Sequence, residues 1–321
     1  MRGATRQGSR RSPRWRALAA ALVVVAVSSA ACGGPAGSAQ APARAPARAP
    51  AAYYVSIGDS YAAGYQPSAS GPGRTTVNGF AYQLVGLAAR EGLALKLVNF
   101  ACSGATTASV LDTPGCPPYG LGPGATPYSS TQASAAESFV RAHPGRVRLI
   151  TLSIGGNDLL HCALASNPVA CVGSALPGLE AGLTTLLQGL RAAAGSAAQI
   201  IGITYPDVVL GAWVLGPAEH PLAQLSVGAL RDLINPALSA RYQAVGGEMV
   251  DVTAASGAYG PLSETVALPP YGVIPLPVAR VCQLTYFCAR HDIHPTTAGY
   301  ALIAKLLLGA VTTSGVTSSG R

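Results

Sequence analysis

From residue 53 onward the chain alternates two patterns. Short apolar runs at 53–57, 96–100, 147–153, 199–204 and 248–252 have the length and the Val/Ile/Leu content of buried strands. Between and after them, the stretches 79–90, 132–142, 179–194, 222–244 and 296–308 place apolar residues three and four positions apart, which predicts helices with one buried face. Strand followed by helix, repeated, is the signature of a parallel sheet covered on both faces. The pattern therefore predicts a single α/β domain over 53–311 with a central parallel sheet of about five strands. In such sheets ligands gather at the carboxyl ends of the strands, so the residues that follow each strand are the first candidates for chemistry.

The segments outside this domain read differently. Arg10, Arg11, Arg14 and Arg16 precede an apolar stretch at 17–27 and the small residues 28–31, the layout of an export signal over 1–31. The apolar run is shorter than the roughly 18 residues of a membrane span, which favours cleavage over a permanent helix. Cys32 follows directly. It reads either as a spare thiol beside the cleavage site or as a lipobox cysteine that becomes a lipidated N-terminus and a membrane anchor, although Ser29 stands where Leu or Val is usual. Residues 32–52 form an Ala/Pro-rich linker, and 312–321 are expected to be a disordered Ser/Thr/Gly-rich tail.

This partition changes the meaning of the charge. Of 21 basic residues, eight lie in positions 1–50, which hold no acidic residue, leaving 13 basic against 13 acidic in the body. A neutral body lacks the cationic field that phosphate backbones require, so nucleic acid is excluded as a partner. Besides Cys32 there are six cysteines, an even number in an exported chain. Six allow 15 pairings; the sequence offers three local couples, Cys102 with Cys116, Cys162 with Cys171 and Cys282 with Cys288. No Cys-x-x-Cys zinc spacing competes, and no metal or other cofactor is expected.

Three strand ends and one C-terminal loop carry candidate chemistry. Gly58-Asp59-Ser60 follows the first strand and puts a hydroxyl on a glycine-flanked turn leading into a helix, where backbone N–H groups stay free to meet negative charge. The same tripeptide also serves as an ordinary turn or N-cap. Gly104 follows the second strand and Gly155-Gly156-Asn157-Asp158 the third. A tetrahedral ester intermediate needs donors aimed at its oxyanion; the Ser60 N–H, the Gly104 N–H and the Asn157 amide are candidates. Near the C-terminus, His291-Asp292-Ile293-His294-Pro295 precedes the last helix, from where a histidine can reach across the sheet to act as general base. His143, His161 and His220 lie beside prolines or loops and read as solvated or structural.

Taken in order, Gly-Asp-Ser, the post-strand Gly104, Gly-Gly-Asn-Asp and His-Pro resemble the blocks of the SGNH hydrolases, also called GDSL esterases and lipases, from Gly58 to Pro295. The resemblance implies a three-layer flavodoxin-like fold and a secreted or surface-anchored serine esterase or lipase. It implies Ser60 as nucleophile, His294 as base, and Ser60, Gly104 and Asn157 as the oxyanion hole. The cysteine spacing resembles that of secreted actinobacterial members, which implies three disulfides. The chain departs from the family at one point, since His291 stands three residues before His294 where the family has Asp, and the acid is Asp292. Support for the imidazole then comes either from Asp292 or from a backbone carbonyl near His291, with the carbonyl slightly favoured and the Cys282–Cys288 bridge fixing the loop.

Two functional readings follow. In the first, a monomer acts on ester or lipid substrates through an acyl-enzyme on Ser60. In the second, motivated by the displaced acid, a non-catalytic surface-binding lipoprotein keeps the fold. A dinucleotide-binding reading fails for want of Gly-x-Gly-x-x-Gly at the first turn. The apolar, Gly/Pro-rich loops 66–78, 112–128, 208–222 and 253–280 are expected to form the rim that selects the acyl group.

Overall fold

The computed structural model of the chain describes residues 52–315. The leader, Cys32 and nearly all of the linker lie outside the described residues, as does 316–321. Five strands, β1 (Ala52–Gly58), β2 (Leu95–Asn99), β3 (Val147–Ser153), β4 (Gln199–Ile203) and β5 (Glu248–Val250), make one sheet in the order β2-β1-β3-β4-β5. All four pairings are parallel, with Val55 opposite both Val98 and Ile150. This 2-1-3-4-5 order is that of the flavodoxin-like sheet, and it reverses direction between β1 and β3.

Strand side chains alternate between the two faces, and each face buries its own core. Tyr54, Leu149 and Ile201 pack with Phe80 and Leu84 of α1 (Phe80–Arg90) and with Tyr300, Ile303 and Leu307 of α7 (Thr297–Gly315). Val55, Ile150 and Ile200 face the other way. They meet α2 (Gln132–Ala142), α3 (Pro168–Ala194) and α5 (Asn235–Gln243) through Ala136, Leu183, Leu187 and Leu238. The result is three layers. A smaller cluster joins the 3₁₀ segment Val209–Leu215, α4 (His220–Gly228) and α6 (Leu276–Leu284) beyond the β4 end.

The structure departs from the pattern-based expectation in four places. Helix α3 starts at Pro168 rather than 179, because Pro168 occupies its first turn and the Asn167 side chain caps the Ala170 N–H. The helix expected at 222–244 is divided into α4, a π-helical turn at Ala229–Ile234, and α5; Pro236, which has no N–H to donate, sits at the start of α5. Helix α7 runs on to Gly315, into the stretch expected as tail. Two small antiparallel ribbons, Tyr65–Gln66 with Arg74–Thr75 and Thr265–Ala267 with Val273–Pro275, stiffen segments expected as loops.

Candidate active site

The sheet reverses at β1 and β3, and the candidate residues meet above their carboxyl ends. Gly58 closes β1 at φ +132°, and a Cβ there would lie 2.0 Å from the Ser153 carbonyl oxygen, so only glycine lets the strands run this close. Asp59 then caps the single helical turn Ser60–Ala63, accepting a hydrogen bond from the Tyr61 N–H at 2.9 Å. Ser60 is thereby the first residue of a helical turn, and its own N–H has no hydrogen-bond partner among the described residues.

His294 reaches this serine across 234 positions of sequence: its Nε2 lies 2.8 Å from Ser60 Oγ. The Nδ1 of the same ring lies 2.8 Å from Asp292 Oδ1, which also accepts the His294 backbone N–H at 2.9 Å. The slightly favoured expectation of a backbone carbonyl at Nδ1 is therefore corrected, since the Asp292 carboxylate meets the ring. The cause is local geometry. His291 adopts a left-handed conformation (φ 51°, ψ 34°) at the end of the short helix Phe287–Arg290, and the chain turns so that an acid two residues before His294 faces its ring. The loop is pinned by the Cys282–Cys288 disulfide, by hydrogen bonds from Tyr286 N–H to the His294 carbonyl and from Thr296 N–H to the Leu284 carbonyl (both 2.9 Å), and by Tyr61 Oη donating to the Ile293 carbonyl at 2.6 Å.

Burial by itself raises the Asp292 carboxyl, but the hydrogen bonds from the His294 ring and backbone, with the attraction of the imidazolium, outweigh it and hold it below the ordinary carboxylate value. With Asp292 ionised, the consistent tautomer carries its proton on Nδ1 and turns the Nε2 lone pair to the serine.

Two more candidate donors lie on the loops that follow the neighbouring strands β2 and β3. Gly104 sits at φ +85° with open space around the position of a Cβ, so the backbone conformation, more than crowding, calls for glycine; its N–H has no partner among the described residues. Asn157 follows the left-handed Gly155 and donates one amide hydrogen to the Ala105 carbonyl at 2.9 Å, which orients the amide and leaves the other hydrogen free. The two loops are clamped to each other. Asp158 accepts from the Thr107 N–H at 3.1 Å and from its hydroxyl at 2.5 Å, and the Cys102–Cys116 disulfide anchors the far side.

A polar layer that no sequence motif announces lies beneath the serine. Asp59 is almost fully enclosed and accepts hydrogen bonds from Tyr205 Oη at 2.6 Å and Ser153 Oγ at 2.9 Å; burial pushes its carboxyl up to about 6 against these hydrogen bonds. Tyr205 stands two positions past β4, a strand end that the sheet rule flags but that no motif marks.

A cavity of about 160 Å³ opens beside Ser60 and Asn157. Its walls are mostly apolar, with Leu159 and Val172 on one side and Leu225, Leu230 and Leu238 on the other. Of the four loops expected to form the rim, only 208–222 contributes to it; the rest of the wall comes from 159–172 and from the turns around 225–238. The third disulfide, Cys162–Cys171, closes part of that wall. The remaining histidines pack on aromatic rings or lie against this disulfide: His143 stacks on Phe139, His220 on Trp213, and His161 Nε2 is 3.5 Å from Cys171 Sγ.

Several solved structures are similar in outline. An extracellular lipase from Streptomyces rimosus is 21% identical, with 81% of this chain and 100% of that chain covered and a TM-score of 0.48. Phospholipase A1 from Streptomyces albidoflavus is 22% identical (81% and 99% covered, TM-score 0.47), and an acetyl xylan esterase from Geobacillus stearothermophilus is 17% identical (81% and 94% covered, TM-score 0.45). No curated protein matches the chain. A family model described as the GDSL-like lipase/acylhydrolase family matches residues 56–302, most of the chain and every segment of the site above, and the chain belongs to that family.

Proposed function

We propose that the protein hydrolyses carboxylic esters through an acyl-enzyme on Ser60. The observation that carries this reading is the relay in which one imidazole joins Ser60 Oγ and Asp292 Oδ1, each at 2.8 Å. His294 Nε2 takes the hydroxyl proton as Ser60 attacks the ester carbonyl, and Asp292 stabilises the imidazolium that forms. The Ser60 and Gly104 N–H groups and the free Asn157 amide hydrogen receive the oxyanion. The imidazolium then gives its proton to the departing alkoxide, and a water activated by the same nitrogen releases the acid. The acyl group occupies the apolar cavity beside Ser60.

The non-catalytic reading rested on a missing acid, and Asp292 at Nδ1 removes its motive. The three disulfides support an extracytoplasmic site of action; a lipid anchor at Cys32 rests on the surrounding sequence. The experiment is a fluorophosphonate probe together with p-nitrophenyl butyrate. The wild type is expected to be labelled and to turn over, and Ser60→Ala to do neither. Turnover that survives in Ser60→Ala, or a wild type that neither labels nor reacts, ends the proposal.

A further inference from the structure

The mouth of the apolar cavity is built from chain that carries almost no charge. Residues 159–179 and 208–230 together hold one acidic or basic residue, Glu219, in 44 positions, and the next charges stand at their edges, Asp158 and Glu180 around the first stretch and Asp207 and the Arg231–Asp232 pair around the second. Within these stretches, large apolar side chains stand in solvent. Leu160, Val169 and Leu225 line the cavity and are themselves 36%, 46% and 40% exposed. Leu164 is 91% exposed at the tip of the loop that the Cys162–Cys171 disulfide closes between Leu160 and Val169. Single exposed leucines on a protein surface are ordinary. A group held on a cross-linked loop around the entrance of an apolar cavity, with no charge among them, is a surface suited to a partner that is itself apolar and uncharged.

The cavity behind the rim restricts what that partner is. It leads to Ser60, so an occupant that capped it, such as a second copy of this chain, would close the route to the site. A layer of lipid leaves it open, because an acyl chain can pass from the layer into the cavity without crossing water. The scarcity of Lys and Arg along the rim argues against attraction to anionic headgroups. We infer that the rim around Leu164 seats the protein on an electrically neutral lipid–water interface, with Leu164 inserting and the cavity opening towards the acyl layer. The inference rests on the hydrolytic reading of the Ser60 site and adds a docking face to it.

Binding is separable from turnover. The full chain carrying Ser60→Ala, with Cys32→Ser so that no acyl anchor contributes, is mixed with phosphatidylcholine vesicles and followed by flotation in 0.1 M and 1 M NaCl. Binding is expected at both salt concentrations. Leu164→Asp is expected to lower partitioning by about tenfold or more, whereas Val77→Asp, at another exposed valine in the loop before α1, leaves it unchanged. With Ser60 intact, Leu164→Asp should keep kcat/KM on water-soluble p-nitrophenyl acetate within about twofold. The inference is overturned by absence of vesicle binding, by binding that Leu164→Asp does not weaken or that Val77→Asp weakens equally, or by loss of binding in 1 M NaCl. It is also overturned if Leu164→Asp instead dissociates a dimer seen by light scattering. A wild type that floats with vesicles yet turns over no ester would sink the hydrolytic reading and leave the docking face standing.

Discussion

The cavity beside Ser60 sets an expected dependence on acyl length. A volume of about 160 Å³, divided by the roughly 30 Å³ that a water-sized group occupies, holds about five methylenes. Each methylene moved from water to an apolar wall contributes about 0.8 kcal/mol, or about fourfold in kcat/KM while the transition state keeps the contact. Along p-nitrophenyl esters kept below their aggregation limit, kcat/KM should climb about fourfold per methylene from acetate to an acyl chain of six to eight carbons, then level or fall. Val172 on α3 is buried and faces this space. Val172→Phe adds four carbon atoms at the wall and takes up room for about two methylenes, at an overpacking cost of about 1–3 kcal/mol in stability. The variant is expected to move the optimum down by about two carbons while leaving acetate hydrolysis within about twofold. Stopped-flow or plate kinetics on the ester series reads both slopes, and thermal unfolding reports whether the variant is folded. A wild-type optimum at acetate, or a variant that depresses all esters by the same factor, refutes the assignment of the cavity to the acyl chain.

Asp292→Asn removes the carboxylate that holds the His294 tautomer and should lower kcat by about 10²–10⁴ with KM little changed, measured under saturating p-nitrophenyl butyrate. Because Asp292 is held below the ordinary carboxylate value, it contributes no ionisation to the acid limb above about pH 5; an ionisation there that Asp292→Asn abolishes would contradict the site geometry. Asp207 is buried against Ser226 and the Leu210 N–H, and burial pushes its carboxyl up to about 6, above its ordinary 3.8. A raised folded-state value means the protonated form is favoured on folding, so this contribution to stability is complete below pH 3.8 and is lost as pH rises through about 6. Urea unfolding at pH 4.5 and pH 7.5 should show the wild type losing about 2 kcal/mol from this group and Asp207→Asn losing correspondingly less; equal pH slopes in the two proteins would refute it. The Cys282→Ser, Cys288→Ser double variant opens a short loop whose closure contributes about 2 kcal/mol, and since that loop carries His294, kcat should fall more steeply than that stability loss alone accounts for. Unchanged kcat in the folded double variant would show that the backbone hydrogen bonds suffice.

The parts of this molecule that could be read in advance are those written in contiguous sequence. A buried parallel strand must be apolar on both faces, so 147–153 and 199–204 announce β3 and β4 within a residue or two. Ser60 and His294 were legible for a related reason: each sits in a short segment whose composition is constrained by one turn, and the sheet brings both turns to the same end. Asp292 was legible only as one of two candidate partners of the ring, because its reach depends on a left-handed backbone at His291, a residue type that does not advertise that conformation as glycine would. The cavity escaped for a further reason. Its walls come from the Pro- and Gly-containing start of α3, a 3₁₀ segment and the stretch from α4 through the π-turn to α5, whose apolar period announces a helix but not that its face lines a cavity, and they meet only after the chain has crossed the sheet several times. The candidate catalytic groups, on strand ends and one C-terminal loop, are thus fixed by local rules, while the surface proposed to receive the acyl chain is fixed by packing between irregular segments. The acyl-length profile and the vesicle experiments therefore bear on the part of the molecule that sequence pattern leaves undetermined.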